Sequence, residues 1–491
     1  MIFTNNLKKM KIFDFFILFL IIAASFLLIY IHYKSYYVFE SKRLHAYILY
    51  YIILGFSVLF FIFILFLKNI ELRKNITLLT YTLLFLSFFS EILISIFFKK
   101  VDIVELNRNI RENRAKLILE KFNQKVDTRS KIEIQKDLKK KGIDVALLVT
   151  PFRMLPEEGI PYYENDNLIS KDKILPLSGI SNKLYVGGSE SGDYKFYKSD
   201  RYGFNNLDND WDRDDVILII GDSFAHGDYL NFEENFTGNL RRFFRKGVLS
   251  LAQPNNGPLL ELATLKEYGK NLDTQTIIWM YYEGNDLTEF IEEKKSKILI
   301  KYLSKNFSQN LIFKQKKIEN SYEIYISKKI EQYGLDDNTN HREILSMRDS
   351  SNNAFISTIK LQRLREFLFS LSTEKIKNFS HKNTTSLFRE VLKEAKRISD
   401  EKNATFYFVY LPSSTRYLEN YNDNLKKKKY YRKEILKIVK ELNINLIDIY
   451  EEIFRDHKNP LAFFHFEMHS HYNKNAVEEI SYEIYNNVSK K

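Results

Sequence analysis

The chain begins with three long apolar runs and then changes character. Residues 15–31, 46–67 and 76–98 are almost wholly apolar, each near the ~20 residues that a helix needs to cross a bilayer core. They read as three transmembrane helices, since buried helices of a soluble domain rarely come three to the first hundred residues. The first is not read as a cleaved signal peptide: no small-x-small site follows it, and two further runs do. Beyond them the apolar runs shorten and become β-branched and aromatic, at 145–149, 216–220, 248–251, 276–282, 405–410 and 444–448. Short runs of this kind predict buried strands. The helical spacing between them predicts an α/β fold around a parallel sheet.

The stretches between the runs divide the chain further. Residues 102–141 are highly charged with helical spacing of Ile, Leu and Phe, and a helix over 132–141 should stop at Gly142. Residues 151–215 are rich in turn formers and predict short strands at the edge of the main domain. Residues 290–400 form a charged insertion of helical character, with helices over 291–317 and 358–371 and loops at 334–340 and 349–353. Helices over 386–402, up to about 442, and over 478–488 follow. The expected units are a membrane anchor (1–100), juxtamembrane helices with a strand (101–150), and a main domain (151–491) with an insertion at about 290–385.

Composition narrows the partners. The formal net charge of +12 comes largely from abundant lysine, and no recognisable nucleic-acid module gathers it on one face, so no nucleic-acid partner is expected. There is no cysteine, which excludes disulfides, thiolate metal sites and cysteine nucleophiles. Lys8, Lys9 and Lys11 precede the first run, and Lys68, Arg73 and Lys74 lie between the second and third; the other loop carries Lys34, Lys42 and Arg43. The balance is close, and an inside N-terminus would deliver the remaining chain to the outer side. Glu91, within the third run, is costly in lipid and marks a helix–helix contact in preference to a proton site.

The chemistry gathers on four blocks. Gly221-Asp222-Ser223 ends the strand at 216–220, where a serine is exposed near free backbone N–H groups. Asn255-Asn256-Gly257 follows the strand at 248–251, and Glu283-Gly284-Asn285-Asp286 the one at 276–282. His471-Tyr472-Asn473-Lys474-Asn475-Ala476 opens the closing helix. In that order the blocks resemble those of the SGNH/GDSL hydrolases, in their membrane-anchored bacterial branch. Ser199-Asp200-Arg201-Tyr202-Gly203-Phe204-Asn205-Asn206 is similar to a stretch that precedes Gly-Asp-Ser in that branch, as a substrate contact or an aromatic plug.

The resemblance implies a flavodoxin-like domain with a five-stranded parallel sheet in the order 2-1-3-4-5. It implies Ser223 as nucleophile, His471 as base, and an oxyanion hole from the Ser223 and Gly257 N–H groups and the Asn285 amide. Three positions depart from the pattern. Asn255 holds the second block's glycine position, so that Gly257 is the preferred donor; Glu283 replaces a glycine; and no aspartate lies two or three residues before His471, where Met468 and His469 stand. Either His471 works with Ser223 as a dyad, which is preferred, or Glu467 orients it. Asn285 could instead cap the next helix.

The alternating His465, Glu467, His469 and His471 allow a metal reading, which is set below the serine one; no metal or cofactor is expected. The implied activity is a membrane-anchored serine esterase acting on an O-acylated glycan or lipid of the cell envelope. The alternatives are an O-acyltransferase of envelope polysaccharide and a non-catalytic domain binding a glycan or partner. The expected location is a bacterial inner membrane, multi-pass, with the main domain in the periplasm.

Overall fold

A computed structural model describes residues 2–33, 35–36, 44–97, 103–155, 174–333, 361, 364, 381–418 and 422–490. The expected loops at 334–340 and 349–353 lie outside these residues, as does nearly all of the helix at 358–371. The chain forms two compact units, 1–101 with 349–376, and 102–348 with 377–491.

In the first unit the apolar runs lie in helices Ile2–Tyr33, Leu44–Phe66 and Ile70–Phe97. Two of these, over Phe13–Tyr33 and Ile70–Ile94, are long and apolar enough to cross a membrane, and the apolar part of the other, Tyr50–Phe66, is shorter. Phe15, Phe56 and Phe85 project outward, each about two-thirds exposed. Glu91 is buried, and its Oε2 accepts the backbone N–H of Leu364 at 2.7 Å. A backbone amide of the same unit thus satisfies this carboxylate.

Among its described residues the second unit holds two sheets. Strands β1 (Val145–Leu147), β2 (Leu184–Val186) and β3 (Phe196–Lys198) make a small sheet, with β1–β2 parallel and β2–β3 antiparallel. Helix Lys131–Lys140 precedes it, with a capping box between Ser130 and Glu133, and Gly142 follows at φ 76°. Residues 102–150, expected as a juxtamembrane stretch, lie in the second unit, where β1 pairs with β2.

The larger sheet contains β4 (Ile217–Gly221), β5 (Val248–Ser250), β6 (Thr276–Tyr282), β7 (Thr405–Leu411) and β8 (Asn445–Asp448), ordered β5-β4-β6-β7-β8 and parallel throughout. Both faces are covered, which is why β4 carries no polar alternation. Leu218 and Ile220 pack on one side with Leu262, Phe388 and Val439, from helices Pro258–Tyr268, His381–Glu401 and Asn422–Glu441. Ile217 and Ile219 pack on the other with Leu240 and Ile480, from helices Phe236–Phe244 and Lys474–Ser489.

The insertion is not the single helix expected over 291–317. It breaks into Asp286–Glu293, Lys297–Lys301, a short turn at Leu311–Phe313, and Gln315–Tyr333. Buried Glu267 organises the break. Its carboxylate accepts from the Tyr302 and Ser308 hydroxyls and from the backbone N–H groups of Gln309 and Leu311.

Candidate active site

Ser223 stands where β4 ends and the chain turns into a one-turn helix, Ser223–His226. Asp222 caps this turn, its Oδ1 accepting the Phe224 N–H at 2.9 Å. Gly221 is required by space: a Cβ there would lie 2.8 Å from the Ala225 Cβ and 3.0 Å from the Met280 carbonyl oxygen.

His471 arrives from the far end of the chain. Asn473 caps helix Lys474–Ser489 through the Ala476 N–H, and buried Tyr472 donates its hydroxyl to the Pro412 carbonyl, which fixes the approach. The His471 ring stacks on Tyr229 at 3.9 Å and lies against Phe224 at 4.5 Å. Its Nε2 is 2.7 Å from Ser223 Oγ.

The other ring nitrogen finds a carboxylate that sequence reading missed. His471 Nδ1 is 3.0 Å from Glu190 Oε2, which also accepts the His471 backbone N–H at 2.6 Å. Glu190 sits in the loop between β2 and β3, in the smaller sheet. Burial alone would favour neutral imidazole, but the charge and hydrogen bond of Glu190 outweigh it and raise the His471 pKa. Burial acts against the Glu190 carboxylate in turn, yet His471 and Arg114 hold it down at about 2.

The Glu190 loop is fixed from several sides. The Gly188 N–H donates to the Asp228 carbonyl at 2.8 Å, and the Tyr229 ring occupies the space a Gly188 Cβ would need. Gly192 adopts φ 109°, and its carbonyl accepts the Asp127 N–H at 2.8 Å. The signal in the sequence was the glycine bracket of residues 187, 188 and 192, which marks a tight loop but not what it faces.

The two orienting schemes expected for His471, a dyad or Glu467, are both corrected. Glu467 pairs with Lys121 at 2.6 Å and accepts from Asn459 at 2.9 Å. Phe466 and Glu467 adopt left-handed backbone, φ 54° and 51°, so the segment is a turn and its alternation is lost. The metal reading fails with it: His469 Nδ1 meets the Ser414 hydroxyl at 2.9 Å, and His471 faces Ser223 and Glu190.

Two of the groups expected as oxyanion donors are engaged elsewhere. The Gly257 N–H is committed to Glu293 Oε1 at 2.6 Å, because Glu293 caps the buried N-terminus of helix Pro258–Tyr268 together with the Leu259 N–H. Gly257 is therefore not a donor toward Ser223. Asn285 Nδ2 donates to Glu289 Oε2 at 2.8 Å and to Asp222 Oδ2 at 3.2 Å. Although Asn285 precedes helix Asp286–Glu293, its side chain makes no capping bond. Asn255 Nδ2 donates to the other oxygen of Glu289 at 3.1 Å. Burial raises the Asp222 pKa against the opposing pull of the Phe224 N–H and the His471 charge, and burial with the Asp222 charge pushes Glu289 up to about 8.

The remaining departures are structural. Glu283 forms a buried pair with Arg416, with 2.6 Å between Nε and Oε2, and accepts the Tyr410 hydroxyl. The stretch at 199–206 stitches the sheet edge. Buried Asp200 accepts from Tyr202 and Phe204 N–H, Asn206 Nδ2 and Trp211 Nε1, Asn206 pairs with the Ser250 backbone, and Phe204 packs on Tyr268. Its interactions are those of the aromatic plug.

No protein-family model and no curated protein matches this chain. Among solved structures, the psychrotrophic esterase EstA from Pseudoalteromonas sp., inhibited by monoethylphosphonate, is similar over 56% of this chain and 98% of its own. The identity is 12% and the TM-score 0.27.

Proposed function

We propose that this protein is a membrane-anchored serine esterase of the SGNH/GDSL kind, acting on ester-linked acyl groups of a cell-envelope glycan or lipid. The observation that carries the reading is the continuous chain Ser223 Oγ–His471 Nε2–His471 Nδ1–Glu190 Oε2, at 2.7 and 3.0 Å. In this scheme His471 takes the Ser223 proton as the oxygen attacks the ester carbonyl, then returns it to the leaving alcohol. Glu190 fixes the tautomer and stabilises the imidazolium. The Ser223 N–H and Asn285, released from its longer bond to Asp222, receive the oxyanion. Water, activated by His471, then clears the acyl-enzyme.

The anchor assigned here comprises helices Ile2–Tyr33, Leu44–Phe66 and Ile70–Phe97 in a bacterial inner membrane, with the N-terminus inside and the second unit in the periplasm. Its support is the apolar length of two of these helices, over Phe13–Tyr33 and Ile70–Ile94, and Lys8, Lys9 and Lys11 before the first apolar run. The surface location is the reason for an envelope substrate.

The test is labelling of the detergent-solubilised protein with a fluorophosphonate probe. Wild type is expected to label, and Ser223→Ala and His471→Ala are not. A folded wild type that takes up no probe across the pH range would overturn the esterase reading.

A further inference from the structure

We propose that the buried carboxylates behind Ser223 form a binding site for a calcium-class divalent cation. One oxygen each from Asp222, Asp286 and Glu289 lies within 4.8 Å of the other two, and all three residues are buried. Oxygens bonded to one Ca²⁺ ion at about 2.3–2.6 Å lie no more than about 4.6–5.2 Å apart, so this spacing admits such an ion.

A second observation points the same way. Glu261 has no exposed surface, and both its oxygens lack a hydrogen-bond partner among the described residues. The Trp279 indole N–H faces it but falls short of hydrogen-bonding geometry. Glu261 lies close to the same group: of the charges acting on Asp286 that of Glu261 is the largest, and of those acting on Glu261 that of Asp222 is the largest. Asp286 Oδ1 and Asn285 Oδ1 are likewise buried without a partner.

These four carboxylates make no ion pair with Lys or Arg among the described residues, though the charge of Arg153 reaches Glu289. Asn255 and Asn285 supply neutral donors only. Four carboxylates buried so closely can take a counter-charge in place of their protons, and an all-oxygen set selects a hard cation. Its place beside Asp222 would also offset the negative charge facing an oxyanion on Ser223.

The experiment uses the full chain in detergent, stripped with EDTA and desalted, then titrated with CaCl₂ by calorimetry while thermal melting is followed. Wild type is expected to bind one equivalent and to melt several degrees higher in millimolar CaCl₂, with a smaller effect from MgCl₂. Ser223→Ala should bind equally, so the result is separable from the esterase reading. The double variant Asp286→Asn/Glu289→Gln should lose both effects and melt higher than wild type without metal, its repulsion removed. Glu261→Gln should weaken binding, and it decides the matter if the double variant does not fold. No heat and no Tm change in stripped wild type would overturn the proposal. So would a Ca²⁺ effect that persists undiminished in the variants.

Discussion

The two sheets of the second unit contribute to one site in opposite ways. The larger sheet presents Ser223 at the end of a strand buried on both faces, between β5 and β6. Its precision comes from packing: there is no room for a Cβ at Gly221. The smaller sheet buries a modest cluster around Ile134, Val145, Leu147 and Val186, and delivers Glu190 from a hairpin loop held by hydrogen bonds and by Tyr229. The proposed nucleophile must not move, and it sits on the scaffold that costs most to deform. An orienting carboxylate acts through an intervening ring, and a loop suffices for it.

That division can be broken at either end. His471→Ala removes the base both regions serve, and should lower esterase turnover by about 10⁴-fold or more, read with an aryl ester. Glu190→Gln should lower it by about 10²–10⁴-fold, while Glu467→Gln leaves it near wild type; equal effects would contradict the assignment of Glu190. The acid limb of the pH–rate profile carries a sign as well. Glu190 raises the His471 pKa, and only neutral His471 is a base, so the limb lies above the ordinary 6.5 and moves to lower pH in Glu190→Gln.

Smaller effects sharpen the contrast in stability. Gly221→Ala should destabilise the fold by about 1–3 kcal/mol through overpacking, measured by thermal melting. Gly192→Ala, strained at φ 109°, should cost activity more than melting temperature, because it displaces the loop that carries Glu190. The pair itself has a pH window. The lowered Glu190 pKa adds stability above 4.5 that is lost toward about 2. The raised His471 pKa adds stability below 6.5 that is lost as the pH rises through its folded value. The difference in melting temperature between wild type and Glu190→Gln should therefore be greatest between pH 4.5 and 6.5.

The sequence by itself determined what local patterns encode. Uninterrupted apolar runs defined the strands at 216–220 and 276–282, because a strand covered on both faces has no polar positions. The strand end placed Ser223 at the edge of the sheet, and the resemblance of the blocks at 221–223 and 471–476 picked out Ser223 and His471, since Gly221, Asp222 and Asn473 act on groups close to themselves along the chain. Tertiary structure alone decided what lies across the ring and behind the serine. Glu190 and His471 are 281 residues apart, and Glu467, only four away, is turned aside by two left-handed residues. The resemblance of its block implies Gly257 as a donor, but Glu293, 36 residues on, takes that N–H. A hydrogen bond closes over about 3 Å of space whatever the separation along the chain, and no periodicity records that distance.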